Sequence, residues 1–181
     1  MLDDDPFAVK LGEKLEMPLG FRLTSDGPEV GARTPVETVT TNTGRIIHLD
    51  GDSGQNTLLL FLSTSCTFCR QVASYLHDLA ETAPEQLVLV FSTVAPDALR
   101  RFVIEHRLGS IPVVISPETR AAFNVTGIPY AFALDGNGQV RGKGIVNNAD
   151  HLDSLANTFY ISVDAFKQAL ASRKEDKVEI I

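Results

Sequence analysis

The sequence of 181 residues has only two cysteines, Cys66 and Cys69, and no tryptophan. Structural zinc sites use four ligands, and a CxxC pair usually contributes two of them. Two cysteines cannot build a four-cysteine zinc site, and for a reaction carried by this pair of thiols we expect neither a metal ion nor an organic cofactor. The two cysteines are therefore best understood as one isolated pair.

Long apolar segments are also missing. Apolar runs such as Leu58 to Leu62 contain five residues, whereas a membrane-spanning helix needs about 20. The first residues, Leu2 to Pro6, are acidic, whereas a secretory signal is basic and then apolar. We expect no spanning helix here, and we expect any export signal or membrane anchor to lie outside this sequence.

Positive charge is in deficit. The sequence has 16 Lys and Arg against 23 Asp and Glu, which gives a formal net charge of −7. Proteins that bind nucleic acid neutralise phosphates with Lys and Arg. Nucleic acid is therefore not expected as a partner.

The hydrophobic pattern predicts one α/β domain. Turn residues and missing periodicity predict an irregular arm over residues 1–30, followed by the domain at 31–171 and a charged tail at 172–181. The predicted strands are 36–39, 46–49, 57–62, 87–91, 111–115, 130–134 and 139–146. The predicted helices are 66–83, 96–108 closed by Gly109, 117–123, 148–159 and 162–171. This order predicts an N-terminal hairpin and a mixed central sheet with helices on both faces.

The cysteine pair lies where a buried strand turns into a helix. The unpaired N–H groups of a first helical turn stabilise an anion, and a thiolate is the form that attacks disulfides. Cys66 is therefore a candidate nucleophile, and Cys69, one turn later, a candidate resolving thiol. A CxxC considered alone fits a buried pair or a structural disulfide equally well.

Two further segments change that balance. Residues 61–70, followed by 123–130 and 135–140, resemble the thioredoxin superfamily. The resemblance covers residues 30–159 and implies a thioredoxin fold, a central mixed β-sheet flanked by helices on both faces with an N-terminal β-hairpin extension. It also implies that Pro129 is a cis proline facing the CxxC, with the backbone of Ile128 exposed beside Cys66 to pair with a client strand.

Two aromatic residues complete the predicted substrate-binding set. Phe68 lies between the cysteines, where an exposed apolar ring favours contact with a protein client. Tyr130 follows Pro129 and either shapes the binding groove or fills the sheet. The expected partners are a client protein with cysteines or disulfides and a second thiol protein that exchanges electrons with the pair.

A narrower resemblance lies in the segment before the central strand. Residues 18–20, 26–31 and 44–45, with Pro35 and Leu49, are similar to the membrane-anchored, extracytoplasmic proteins of the TlpA/ResA kind, and within them to the MauD family. This resemblance implies a periplasmic or outer-surface location, with any anchor absent from this sequence. It also implies a role in disulfide formation during methylamine dehydrogenase maturation.

The sequence departs from an ordinary thioredoxin at two places. Ser65 replaces the usual tryptophan and Thr67-Phe68 replaces Gly-Pro, so the direction of electron transfer stays open. The buried acid found in many thioredoxins would fall at Leu60. The candidate proton acceptors for Cys69 are then Glu37, Asp50 and Asp52, which the sequence does not rank.

Two other functions are compatible with the residues. A thioredoxin-fold peroxidase would need a Pro-x-x-x-Thr-x-x-Cys pattern, and positions 59 and 63 hold Leu59 and Ser63 instead. A non-enzymatic client-binding or chaperone domain would use the groove at Pro129 without the thiols.

Overall fold

The computed structural model describes residues 27–168 and residue 171. Most of the predicted arm, residues 1–26, and the predicted tail, 172–181, lie outside the described residues, so the proposed domain boundaries stay predictions. The strands are β1 Thr38–Thr40, β2 Ile46–His48, β3 Thr57–Leu62, β4 Gln86–Phe91, β5 Val113–Ile115, β6 Tyr130–Leu134 and β7 Val140–Ile145. The helices are α1 Thr67–Thr82, α2 Pro96–Glu105, α3 Pro117–Ala122 and α4 Ala149–Asn157, followed by a 3-10 turn at Thr158–Tyr160 and helical residues at 163–168.

The strands β3 to β7 form one mixed sheet in the order β5-β4-β3-β6-β7. β3 pairs in parallel with β4, and β4 with β5, whereas β6 is antiparallel to both β3 and β7. The strands β1 and β2 form a separate antiparallel pair. The predicted mixed sheet and the N-terminal hairpin are therefore confirmed.

The central strand β3 is apolar because neither of its faces meets solvent. All of its residues are buried, which is typical of a strand covered on both sides. Burial of this strand fixes the position of the loop that follows it, and that loop carries the cysteine pair.

Helices cover both faces of the sheet, as predicted. On one face, Phe123 at the end of α3 packs on Phe132, with ring centroids 4.8 Å apart. On the other face, a Cβ on Gly142 would lie 2.8 Å from Thr158 and 3.0 Å from the Leu155 side chain, so α4 lies directly against β7. Phe132 on β6 is paired with Lys143 on β7, so the side chains of these two residues lie on the same face of the sheet. Gly142 is the neighbour of Lys143 in the strand and therefore faces the opposite side.

The end of α2 differs from the prediction. The helix ends at Glu105 and is capped by His106, so the predicted closure by Gly109 is wrong. Arg107 takes the left-handed conformation, with φ of 58°, and its guanidinium lies 2.8 Å from His77 Nε2 on α1. A contact with α1 therefore supports, after the end of α2, a backbone conformation that glycine would adopt freely.

The described part of the N-terminal segment runs beside β7. The N–H of Gly31 donates to Val140 O at 2.7 Å, and that of Thr34 donates to Gly138 O at 2.8 Å. These bonds cover part of an edge strand that would otherwise stay open. Among the described residues, no helix has both the length and the apolar character needed to cross a bilayer.

Candidate active site

The cysteine pair and the Ile128–Pro129 bond lie at the same end of the sheet. Tyr130, the first residue of β6, is paired antiparallel with Phe61, next to the last residue of β3. The residues just before β6 are therefore beside the loop that follows β3, and this loop leads to Cys66. The Ile128–Pro129 peptide bond is cis, as the resemblance implies.

Cys66 caps the first turn of α1 and is partly exposed. Its Sγ accepts a hydrogen bond from the N–H of Cys69 at 3.2 Å. The first turn lies wholly within the described residues and carries no acidic side chain, and the exposed Arg70 follows the pair. An anion on this sulfur would therefore meet N–H donors and no nearby negative side chain on the helix.

Cys69 is fully buried, with 0% exposure. Burial, together with the hydrogen bond to Cys66, raises the pKa of its thiol from 9.0 to about 12, because a low-dielectric surrounding disfavours the thiolate. Both cysteines are free thiols in this structure. The pair therefore consists of one reachable sulfur and one shielded sulfur, as a nucleophile and a resolving thiol require.

Asp50, one candidate proton acceptor, lies at the opposite end of the sheet. Its backbone is packed against Gly138, where an added Cβ would lie 2.6 Å from Asp50 O. Gly138 follows Leu134 in the turn after β6, whereas Tyr130 marks the end of β6 near Cys66. Because a strand rises about 3.3 Å per residue, roughly 13 Å of β6 separates the two ends.

The other two candidates share the location of Asp50. The N–H of Asp52 donates to Asp50 Oδ1 at 3.2 Å, and the carbonyl of the exposed Glu37 accepts from Leu49, the neighbour of Asp50, at 2.7 Å. None of the three candidates therefore lies near Cys69. Leu60 is fully buried, so the position of the usual thioredoxin acid is an apolar core position here.

The predicted substrate-binding residues differ in exposure. Phe68 is 53% exposed beside the pair. Ile128 is half-buried, and within the described part of the chain its backbone N–H and C=O have no hydrogen-bond partner. Pro129 is buried and its carbonyl accepts from Val146 at 3.1 Å.

Tyr130 is not placed as a surface contact. It is 2% exposed, and its ring centroid lies 5.1 Å from that of Phe132. This burial does not support direct contact between Tyr130 and a client, and favours the alternative that the ring fills the sheet.

Sequence reasoning missed one residue of the site, Ser63. Its N–H donates to Cys69 Sγ at 3.4 Å, and its carbonyl accepts from the N–H of Cys66 at 3.4 Å. The available signal was a short hydroxyl residue in the turn between the strand and the CxxC, where such side chains bond neighbouring backbone groups. Within the described residues, no group of three or more His, Cys, Asp or Glu side chains is arranged to hold a metal ion.

Comparison with known proteins places the chain in a family. No family model matches the chain. The methylamine utilization protein MauD of Paracoccus versutus is 34% identical over 168 residues, which cover 93% of this chain and 85% of that protein. This protein belongs to the MauD family. The MauD proteins of Paracoccus denitrificans and Methylorubrum extorquens are 34% and 33% identical and cover 92% of this chain, with 84% and 82% of their own lengths matched.

Solved structures show the fold of this MauD family member. The thioredoxin domain of a thiol-disulfide oxidoreductase from Bacteroides vulgatus matches with a TM-score of 0.60 and 16% identity, covering 70% of this chain and 95% of that one. DsbF of Mycobacterium tuberculosis matches with a TM-score of 0.59 and 20% identity, covering 69% and 96%. A secreted M. tuberculosis disulfide oxidoreductase homologous to DsbE matches with a TM-score of 0.52 and 22% identity, and the match covers 75% of this chain and 94% of that one. The predicted thioredoxin fold is confirmed.

Proposed function

We propose that this protein is a thioredoxin-like thiol:disulfide oxidoreductase that acts on client proteins through Cys66 and Cys69. The observation that carries the proposal is the asymmetry of the pair. Cys66 is accessible at the cap of α1 and accepts an N–H bond, whereas Cys69 is fully buried one turn later. A catalytic dithiol needs one sulfur that reaches the client and one that releases it.

The reaction balances without a cofactor. In the reducing direction, the thiolate of Cys66 attacks one sulfur of a client disulfide, the client S–S bond breaks, and a mixed disulfide forms at Cys66. Cys69 loses its proton and attacks Cys66 Sγ, and the client sulfur leaves and takes up a proton. The client gains two electrons and the Cys66–Cys69 pair loses two. The reverse sequence forms a disulfide in the client.

The same end of the sheet supplies the client-binding surface. Ile128, next to Pro129, makes no backbone hydrogen bond to another described residue, and it accepts an extended client segment as an additional strand. The exposed ring of Phe68 packs on apolar client residues beside the reacting cysteine. Tyr130 supports this surface from within the core rather than touching the client.

The family is the basis for the proposed cellular location and client. The relatives are named as methylamine utilization proteins, and one structural neighbour is described as secreted. We place this protein in an extracytoplasmic compartment, attached to the membrane through a segment outside the sequence given. Its client is a protein of methylamine dehydrogenase maturation that needs disulfides, and a second thiol protein restores the pair.

Trapping of a mixed disulfide tests this function. With Cys69→Ser, the client stays bound to Cys66 and is recovered as a covalent complex that dithiothreitol releases. Cys66→Ser, the matched control, recovers none. Equal recovery with both variants, or none with either, would contradict the proposal.

The direction of transfer is a separate measurement. Equilibration of the pair against a glutathione series gives its reduction potential. A potential of about −120 mV supports disulfide formation in the client, and one of about −270 mV supports reduction of client disulfides.

A further inference from the structure

Ser63 contacts both cysteines from the turn that joins β3 to α1. Its N–H donates to Cys69 Sγ at 3.4 Å, and its C=O accepts from Cys66 N–H at 3.4 Å. Its Oγ accepts from Ser65 N–H at 3.3 Å and lies 3.0 Å from Ser65 Oγ. The N–H, the C=O and the Oγ of Ser63 are therefore all hydrogen-bonded, to the two cysteines and to Ser65.

The N–H of Ser63 reaches Cys69 Sγ from outside the CxxC. The side chain that could have taken an acid's place, Leu60, is apolar and fully buried. The three carboxylates considered for this role belong to the hairpin and its following loop, at the other end of the sheet. None of these carboxylates therefore lies at Cys69 Sγ, whereas the N–H of Ser63 does.

We propose that Ser63 is a positioning residue of the dithiol reaction, which holds its N–H on Cys69 Sγ and so makes the thiolate of Cys69 available for the resolving step. This inference rests on the proposed oxidoreductase function. The direction of the effect follows from charge, because an N–H donor stabilises a thiolate more than a thiol. Burial raises the pKa of Cys69, and the bond from Ser63 acts against that increase.

The side chain of Ser63 fixes the peptide that carries this donor. Its Oγ bonds to Ser65 close a small turn, and such hydroxyl-to-backbone bonds hold the local conformation. Without Oγ, the turn loses a restraint and the N–H spends less time directed at the sulfur. Ser63→Ala removes Oγ, whereas Ser63→Thr keeps it.

The resolving step can be followed with 5,5′-dithiobis(2-nitrobenzoate). The Cys66 thiolate attacks this aromatic disulfide and releases one thionitrobenzoate, leaving the other joined to Cys66. The Cys69 thiolate then attacks Cys66 Sγ, forms the Cys66–Cys69 disulfide and releases the second thionitrobenzoate. The first release reports Cys66 and the second reports Cys69, so one reaction separates the two sulfurs.

For Ser63→Ala we expect the first release within about twofold of wild type and the second slower by about three- to tenfold, the size of one hydrogen bond. The rise of the second rate with pH is displaced to higher pH. Ser63→Thr restores both. Ser74→Ala is the matched control, since this exposed hydroxyl on α1 donates to Gln71 O at 2.6 Å, away from both cysteines, and it changes neither rate.

Other outcomes overturn the inference. An unchanged second rate and pH profile in Ser63→Ala, or equal slowing in Ser63→Ala and Ser63→Thr, shows that Ser63 Oγ does not position the donor. If wild type releases a single thionitrobenzoate and forms no internal disulfide, the proposed function itself fails, and the role of Ser63 fails with it.

Discussion

The backbone N–H of Cys69 donates to Cys66 Sγ across 3.2 Å. The shielded residue of the pair therefore stabilises negative charge on the accessible one, while its own sulfur stays fully buried. This relationship separates the roles of two identical side chains. It is an N-cap hydrogen bond, in which the side chain of the cap residue accepts from the N–H of the third residue of the helix.

The burial of Cys69 predicts that the reduced protein loses stability at alkaline pH. The pKa of this thiol is about 12 in the folded state against 9.0 for an ordinary thiol. Below 9.0 both states keep the proton, and as the pH rises from there to about 12 only the unfolded state loses it. The free energy of unfolding therefore falls by about 1.4 kcal/mol per pH unit in this window.

Urea unfolding of the reduced protein at about pH 8 and about pH 10 measures this effect. Cys69→Ala is the control, because it removes this titration. We expect wild type to lose about 1 kcal/mol more than Cys69→Ala between the two pH values. The same loss in both proteins would mean that Cys69 titrates normally.

Phe68→Ala should weaken attack on a protein client without affecting attack on a small disulfide. The ring is 53% exposed next to Cys66, and burying an aromatic side chain at a contact contributes about 1 to 2 kcal/mol. We expect about a tenfold lower kcat/KM for a client protein.

Tyr75→Ala provides the matched comparison for Phe68. Tyr75 is 46% exposed on the same helix, two turns further from the cysteines. Tyr75→Ala should leave the rate of attack on the client unchanged. Oxidised glutathione should react equally fast with wild type, Phe68→Ala and Tyr75→Ala. If Phe68→Ala and wild type react with the client at the same rate, the ring of Phe68 is not part of the binding surface.

Much of the fold could be predicted because its signals are local. The unbroken apolar run of β3 and the apolar spacing of α1 each lie within one element, and both were predicted within a residue or two. The cysteine pair follows from these two elements, since it lies between them. The cis bond at Pro129 required a family resemblance, because the sequence around a proline alone does not determine its isomer.

The missed features depend on contacts between distant segments. Asp50 could not be excluded from the sequence, because its distance from Cys69 is set by the packing of the hairpin against the turn at Gly138. The end of α2 was misplaced because the left-handed Arg107 is supported by His77, 30 residues earlier. The role of Ser63 depends on its backbone N–H, which every residue except proline has.

Cys66→Ala separates catalysis from client binding alone. The alanine keeps the fold, since Cys66 lies at a partly exposed cap, but removes the sulfur that must form the mixed disulfide. We expect client maturation to stop, with thermal unfolding within a few degrees of wild type. Normal maturation with Cys66→Ala would favour a non-enzymatic chaperone that uses the groove at Pro129.

Gly142 should tolerate no side chain, because β7 and the end of α4 are in close contact there. An added Cβ would lie 2.8 Å from Thr158 Cγ2 and 3.0 Å from Leu155 Cδ1, and both side chains are buried. Overpacking of this kind costs about 1 to 3 kcal/mol. Gly142→Ala should therefore lower the free energy of unfolding by this amount, measured by urea unfolding.

The double variant Gly142→Ala/Thr158→Ala tests the cause. Thr158→Ala alone loses the hydrogen bond from Oγ1 to Leu155 O, at 2.6 Å, and costs about 1 kcal/mol. Because it also removes Thr158 Cγ2 and Oγ1, the two nearest atoms that the new Cβ would meet, the double variant should be less destabilised than the sum by about 1 kcal/mol. Gly109→Ala is the control, since no atom of the described residues lies within 4 Å of its Cβ position, and it should change stability by less than about 0.5 kcal/mol. Additive losses would place the cost in the backbone of β7 rather than in its contact with Thr158.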